Sequence, residues 1–147
     1  MKVIAVNGSP RKDWNTAAML RQALQGSADR GAITELIHLY ELDYRGCSSC
    51  FACKTRGGPS YGRCALQDDL APVLQRIEKA GALILGSPIY FGQVSGGMRS
   101  FLERLLFPYL RYSRSERSLF PGKMDTAWIY TMNCPESSLK DNGYDRV

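Results

Sequence analysis

Ser9 and Arg11 of a Gly-Ser-Pro-Arg segment, together with Asn15 and Thr16, have the residue types that bind a phosphate group. The segment follows an apolar run at residues 2–6 and precedes apolar residues with helical spacing, so it is predicted to join a strand to a helix. Free N–H groups at the helix N-terminus, two hydroxyls, one amide and one guanidinium would then face one anion. The alternative is a plain strand-to-helix turn with Asn15 or Thr16 as the N-cap.

Residues 86–92, Gly-Ser-Pro-Ile-Tyr-Phe-Gly, are a second segment with binding chemistry. They follow the apolar run at residues 82–85, which is predicted to be a buried strand. Tyr90 or Phe91 would lie against a flat heteroaromatic ring, and the backbone N–H and C=O groups of this loop would reach the polar edge of that ring. The alternative is a turn whose aromatic side chains cap the core. The candidate ring-binding residues are Pro88, Ile89, Tyr90, Phe91 and Gly92.

Four short apolar runs and three helical patterns must position these segments. Their order is strand, helix, strand, cysteine-containing loop, helix, strand, helix, strand. Short strands that are apolar on both faces are typical of a parallel, doubly wound α/β sheet with helices on both faces. Such sheets bind ligands at the carboxyl ends of their strands, where a third loop, residues 131–133, joins the other two. Thr131 and Asn133 are therefore further candidate ligand-binding residues.

The first loop belongs to neither of the common nucleotide-binding motifs. It lacks the Gly-Lys-Ser/Thr of an ATP-binding loop and the Gly-x-Gly-x-x-Gly of a dinucleotide site. One sheet edge nevertheless combines a loop suited to a phosphate with a loop suited to a planar ring. Together the two loops predict a mononucleotide such as FMN as the ligand.

Length and charge limit the remaining possibilities. The 147 residues predict a single domain, residues 1–147, since domains commonly hold about 100–200 residues. No apolar stretch approaches the ~20 residues of a membrane span and no export signal is evident, so we expect a cytoplasmic protein without a membrane partner. The basic residues behind the net charge of +5 are mostly scattered along the sequence. The one local excess of basic residues is not accompanied by a nucleic-acid-binding motif, so no nucleic-acid partner is expected. That excess is Arg111, Arg114, Arg117 and Lys123, opposed only by Glu116.

Four cysteines crowd one segment that has no clear helical or strand period. They are Cys47, Cys50, Cys53 and Cys64. A [4Fe–4S] cluster, a structural zinc ion, and reduced thiols that pack the loop remain open as interpretations. Two-residue spacings allow the first three cysteines to converge on one centre, whereas ten residues separate Cys53 from Cys64. The only histidine, His38, lies in a predicted strand, which favours a structural role over catalysis. No side chain is assigned as catalytic.

Three motifs, in this order, resemble the NADPH-dependent FMN reductase and iron–sulfur flavoprotein group of the flavodoxin-like superfamily. The first is the Asn-Gly-Ser-Pro-Arg loop with Asn15 and Thr16. The second is the cysteine segment that leads to Asp68 and Asp69, and the third runs from residue 86 to about residue 106. Each motif is short, and the resemblance rests on their joint order.

The resemblance implies a flavodoxin-like sheet that binds FMN. We expect the strand order 2-1-3-4, with the fifth strand missing or truncated, because residues 132–147 are too few for the last helix and strand of that sheet. The FMN phosphate would be held by Ser9, Arg11, Asn15 and Thr16, and the flavin ring by residues 88–92. The gap before Cys64 is longer than in the members that carry an iron–sulfur cluster.

The function implied is an FMN-dependent oxidoreductase that takes hydride from NAD(P)H. It would pass electrons to a quinone, a nitro or azo compound, a free flavin or a protein acceptor. The alternatives are an electron carrier of the iron–sulfur flavoprotein type and a non-enzymatic module whose thiols sense the redox state. The resemblance also implies a homodimer or homotetramer. We expect the helix that begins near Ser95 and residues 107–122 to form its interface.

Overall fold

The apolar runs of the sequence form a central sheet in the computed structural model, which describes residues 1–113, 115, 118–135, 137–141 and 143. The strands are β1 (Lys2–Asn7), β2 (Ile33–His38), β3 (Ala82–Tyr90), β4 (Gln93–Val94) and β5 (Asp125–Thr131). The helices are α1 (Asn15–Ala28), α2 (Leu70–Glu78), α3 (Gly96–Leu106) and α4 (Ser137–Asp141). Single 3₁₀ turns occur at Leu39–Glu41, Ala52–Lys54 and Phe107–Tyr109.

Four of the strands are parallel and lie in the order β2-β1-β3-β5. The predicted order 2-1-3-4 is confirmed, because the fourth predicted strand is β5. The sheet also contains β4, which the sequence did not predict and which pairs antiparallel with the end of β3.

The predicted loop at residues 86–92 is wrong over most of its length, because β3 continues to Tyr90. Gly86, Ser87 and Pro88 remain paired with residues 129–131 of β5. Long-range strand pairing therefore overrides the local turn preference of Gly-Ser-Pro. Only Phe91 and Gly92 form a turn, which connects β3 to β4.

Helices cover both faces of the sheet. Successive residues of a strand point to opposite faces, and β1 is buried on both. Val3 and Ala5 pack on the face covered by α1, together with Leu20 and Leu24 of that helix. Ile4 and Val6 pack on the other face, in the core that contains residues of α2 and α3. Burial on both faces explains why β1 is a continuous apolar run.

Helix α1 begins without a side-chain cap, which corrects the predicted N-cap at Asn15 or Thr16. The N-cap is Trp14, whose carbonyl oxygen accepts a hydrogen bond from Ala18 N (3.0 Å). The hydroxyl of Thr16 is instead engaged with Thr131. At 14 residues α1 is the longest helix in the described ranges. No helix in these ranges is long and apolar enough to cross a membrane.

The segment after α3 folds back onto its own chain over the part that the structure describes. Pro108 is buried, Leu119 N donates to Tyr109 O (2.7 Å), and the rings of Tyr109 and Phe120 meet edge to face at 5.1 Å. Lys54 of the cysteine segment donates to Pro108 O (3.2 Å). The predicted basic excess falls partly outside the described residues, namely at Arg114, Glu116 and Arg117.

Gly86 brings α1 close to β3 beneath the first loop, and its substitution should be destabilising. A Cβ atom there would lie 2.6 Å from Leu20 Cδ1 and 3.0 Å from Thr16 Cγ2. Because such overpacking forces side chains to shift, we expect Gly86→Ala to lower the free energy of unfolding by about 1–3 kcal/mol in urea denaturation.

The matched control is Gly26→Ala within α1, where an added Cβ has nothing within 4 Å. Alanine is favoured over glycine inside a helix by roughly 0.5–1 kcal/mol, so this variant should be more stable than the unchanged chain. Equal stability of the Gly86→Ala variant and the unchanged chain would show that α1 does not pack tightly on β3.

Candidate functional site

A cleft of about 570 Å³ lies at the carboxyl ends of the parallel strands. We call it the site cleft. All eleven residues that the sequence marks as candidates line it, from three separate parts of the chain. They are Ser9, Arg11, Asn15, Thr16, Pro88, Ile89, Tyr90, Phe91, Gly92, Thr131 and Asn133. Its size is within the roughly 300–1,000 Å³ of small-molecule and cofactor sites.

The loop after β1 is held in shape by its own side chains. Buried Asn7 accepts a hydrogen bond at Oδ1 from Ser9 N (3.0 Å), and Ser9 Oγ accepts one from Arg11 N (3.1 Å). Asn7 Nδ2 also donates to His38 Nδ1 (2.9 Å), which gives His38 a structural contact. Burial of the imidazole lowers the pKa of His38, and the nearby Lys12 lowers it further while Glu41 opposes both effects. These bonds fix where the loop directs its N–H groups.

Two buried serines connect this loop to β3 and α3. Ser95 Oγ donates to Gly8 O (2.5 Å) and accepts from Met98 N (3.2 Å), and so caps α3, which begins near Ser95 as the sequence predicts. Ser95 N donates to Ser87 Oγ (3.0 Å). The first loop and the end of β3 are therefore held in a fixed relative position by a network that the sequence did not reveal.

Thr16 and Thr131 meet at the base of the site cleft. Their Oγ1 atoms are 2.7 Å apart, which joins the first turn of α1 to the end of β5. Thr16 is almost fully buried, and Asn15 beside it is exposed. The contact between the two hydroxyls thus fixes the end of β5 against the start of α1.

The turn between β3 and β4 presents aromatic side chains at the rim of the site cleft. Phe91 and Gly92 both have positive φ angles, 51° and 75°, as a tight two-residue hairpin turn requires. Phe91 is fully exposed and Tyr90 is 45% exposed. A non-glycine residue with a positive φ is uncommon, and here it directs a large apolar ring into solvent. Such a ring is suited to a flat ligand.

The positive charges of the first loop differ in their partners. Lys12 is hydrogen-bonded to Glu41, which lowers the pKa of Glu41, and Arg21 is paired with Asp13 at 2.7 Å. Within the described residues the Arg11 side chain has no carboxylate partner. Its guanidinium lies over the ring of Trp14, 4.3 Å from the ring centroid. No carboxylate of the described ranges therefore compensates the positive charge of Arg11 at the site cleft.

Three further residues line the site cleft that sequence reasoning missed. They are Trp14, Met132 and Cys134. Trp14 directly precedes Asn15, and a large aromatic residue inside a polar loop was a signal that could have indicated it. Met132 lies between the predicted residues Thr131 and Asn133, and it was passed over because its side chain is apolar.

The four clustered cysteines are free thiols around a small cavity of about 20 Å³. Burial raises the pKa of the Cys53 thiol, and the neighbouring Cys47 and Cys50 raise it further. Four thiols are the right donor set for an iron–sulfur cluster or zinc. Across the described ranges, however, no three His, Cys, Asp or Glu side chains are grouped so that they could hold a metal ion. The arrangement therefore does not fit a metal centre as it stands.

Arg104 of α3 lies beside this cavity with its side chain fully buried. Its Nη1 donates to Asp68 Oδ2 (2.6 Å) and its Nη2 to Asp68 Oδ1 (3.0 Å), in a bidentate pair. Nη1 also donates to Arg45 O (2.9 Å). The hydrogen bonds from Arg104 hold the pKa of Asp68 below its usual value. Asp68 also lies at the start of α2, where its Oδ1 accepts a hydrogen bond from Leu70 N (3.2 Å), so it connects α3 to the end of the cysteine segment as well.

The NADPH-dependent FMN reductase family matches residues 1–128 of the chain. An iron–sulfur flavoprotein of Methanocaldococcus jannaschii is 38% identical over 104 residues, which are 71% of this chain and 51% of that protein. An iron–sulfur flavoprotein of Archaeoglobus fulgidus is 35% identical over 104 residues, 71% of this chain and 48% of that protein. The chain thus spans about half the length of these two relatives.

A solved structure supports the same fold. The NAD(P)H:quinone oxidoreductase from Methanothermobacter marburgensis superimposes with a TM-score of 0.78, over 99% of this chain and 72% of that one, at 18% sequence identity. The predicted flavodoxin-like fold is confirmed. The family is one of NADPH-dependent FMN reductases. For the family, this confirms FMN as the cofactor, a reduced nicotinamide as the co-substrate and oxidoreductase as the class of enzyme. The chain belongs to the NADPH-dependent FMN reductase family of the flavodoxin-like superfamily.

Proposed function

We propose that residues 1–147 are a single FMN-binding domain of an oxidoreductase that takes hydride from NAD(P)H. One observation carries this proposal: the site cleft brings together a phosphate-type loop and an aromatic turn at the carboxyl edge of a parallel sheet. Bound FMN supplies the redox chemistry, so the protein needs to supply only binding, orientation and electrostatics. No catalytic side chain is required.

Different residues of the site cleft would bind different parts of FMN. Ser9, Arg11, Asn15 and Thr16 surround the N-terminus of α1, where N–H groups and a positive guanidinium suit a phosphate. Residues 88–92 present backbone groups and the aromatic rings of the turn to the flavin. Thr131 and Asn133 would contact the ligand from the end of β5.

The electron acceptor would be a quinone, a nitro or azo compound, a free flavin or another protein. Exposed aromatic rings at the rim suit a planar acceptor or the nicotinamide ring, each of which must lie close to the flavin to exchange electrons. Quinones, flavins and aromatic nitro or azo compounds share a flat conjugated system, which is the feature that the rim would recognise. Cytoplasmic location and the absence of nucleic-acid and membrane partners remain predictions from the sequence.

An electron carrier of the iron–sulfur flavoprotein type is the second candidate function. The observation that favours it is the small cavity lined by the four clustered cysteines. The two archaeal relatives are iron–sulfur flavoproteins, which favours the same function. No step is assigned to a cluster here, because the described side chains are not grouped for a metal ion. A thiol sensor without flavin is the third reading of the same cysteines.

An absorbance spectrum of the purified protein, before and after FMN is added and unbound flavin removed, tests the proposal. Retained flavin bands alone support the FMN oxidoreductase. An additional broad band in the visible region supports the electron carrier. A colourless protein that FMN does not reconstitute contradicts both and leaves the thiol sensor.

We also propose a homodimer or homotetramer that uses α3 and the described part of residues 107–122. Leu106 and Leu110 are large exposed apolar side chains beside an apolar groove that Leu102 also lines. Arg99 and Glu103 line the same groove and form an ion pair with each other (3.5 Å), and a twofold axis between two antiparallel copies of α3 would bring the two ion pairs together.

Light scattering at micromolar concentration should give two or four times the mass of 16.4 kDa. Leu106→Glu should shift that mass toward the monomer, because it places a charge in the apolar contact. Leu106 does not line the site cleft, so FMN binding serves as the folding control. A monomer in the unchanged chain would defeat this proposal.

A further inference from the structure

We propose that Trp14 is a positioning residue that holds the Arg11 guanidinium ready for the phosphate of the ligand. The inference rests on the proposed function, since it concerns the same site cleft. Trp14 lines that cleft together with Arg11, yet it is not one of the residues marked by the sequence. Trp14 is 59% exposed, so core packing does not explain its position.

The contact between the two side chains has the geometry of a cation–π interaction. The Arg11 Cζ atom lies 4.3 Å from the centroid of the Trp14 ring, well inside the ~6 Å limit for this attraction. Both backbones are fixed independently of each other. Arg11 N donates to Ser9 Oγ (3.1 Å), and Trp14 O accepts from Ala18 N in the first turn of α1. The side chains therefore meet from anchored positions.

The kind of partner matters for the charge of Arg11. Lys12 and Arg21, its neighbours in this region, are neutralised by Glu41 and Asp13. An aromatic ring attracts a cation without carrying an opposite charge, so Arg11 keeps its full charge for an anion. It also restricts a long side chain that would otherwise lose its rotamer freedom when the phosphate binds. Trp14 can thus orient Arg11 without competing with the ligand.

A direct stacking role for Trp14 on the flavin ring makes a different prediction. Stacking would stabilise any flavin, whether or not Arg11 is present. Positioning of Arg11 would affect only a ligand with a phosphate, and only while Arg11 is there. The two roles therefore separate in a double-mutant cycle and in the comparison of FMN with riboflavin, which lacks the phosphate.

The experiment measures the Kd for FMN by flavin fluorescence in four proteins: unchanged, Trp14→Leu, Arg11→Ala and the double variant. Trp14→Leu should weaken FMN about two- to five-fold, as expected for an exposed cation–π contact. In the Arg11→Ala background the same change should have no further effect. Trp14→Phe should retain most of the affinity for FMN, because it keeps an aromatic face. The affinity for riboflavin should not change in Trp14→Leu.

Lys12→Met is the matched control, since it removes a cation of the same loop that is already paired with Glu41. It should leave the ratio of FMN to riboflavin affinity unchanged. Equal losses from Trp14→Leu with and without Arg11, or no loss at all, would overturn the inference while FMN binding by the unchanged protein upholds the proposed function. If the unchanged protein binds no FMN, both fail together.

Discussion

The Arg11→Ala variant is expected to bind FMN at least about tenfold more weakly than the unchanged chain. Arg11 lines the site cleft, has no carboxylate partner in the described part of the chain, and lies at the N-terminal end of α1. A charge-assisted hydrogen bond to a phosphate contributes about 1.5–3 kcal/mol, and the variant loses it. The loss should be larger at low ionic strength, because salt screens an exposed charge.

Titration of the apoprotein with FMN measures this effect. Arg21→Ala provides the control, because Arg21 is also an arginine of this region but is paired with Asp13 and does not line the site cleft. Its affinity for FMN should be close to that of the unchanged chain. Unchanged FMN affinity in Arg11→Ala would refute the assignment of the phosphate to this loop.

Asp68→Ala should be the most destabilising single change near the cysteine segment. It leaves the fully buried guanidinium of Arg104 without its bidentate partner, and removal of one member of a buried ion pair costs about 3–5 kcal/mol. Urea denaturation should show this loss in the free energy of unfolding. Asp13→Ala breaks the exposed pair with Arg21 and should change stability by no more than about 1 kcal/mol.

The pH dependence of this pair has a defined sign. Because the hydrogen bonds from Arg104 lower the pKa of Asp68 in the folded protein, its contribution is complete above the unfolded-state value near 3.9. The contribution is lost as the pH falls through the lower folded value. The stability difference between the unchanged chain and Asp68→Ala should therefore shrink below about pH 4. A difference that is constant through that range would mean that the carboxylate charge is not responsible.

The position of the site cleft was predictable because it depends on topology. Once the apolar runs are interpreted as parallel strands, their carboxyl ends must lie at one edge, and the segments predicted to follow them, at residues 8–16, 86–92 and 131–133, must meet there. That rule needs no knowledge of individual side-chain contacts. It explains why all eleven candidate residues line one cleft.

Contacts between distant residues were not predictable in the same way. Asp68 and Asp69 have the composition of a helix start, and nothing local indicates that Asp68 pairs with Arg104, 36 residues later. The hydrogen bonds that join Ser95 to Ser87 and to Gly8 depend likewise on tertiary packing. Gly-Ser-Pro at residues 86–88 favours a turn locally, and only the neighbouring β5 keeps it in a strand.

The measurement that tests the central claim most directly is anaerobic reduction of the FMN-reconstituted protein by NADH or NADPH. After unbound flavin is removed, one equivalent of the nicotinamide should bleach the visible band of the bound flavin. A quinone added afterwards should restore it. Arg11→Ala, loaded at the same FMN concentration, should retain less flavin to bleach. A reconstituted protein whose flavin is reduced by dithionite but by neither nicotinamide would contradict the account.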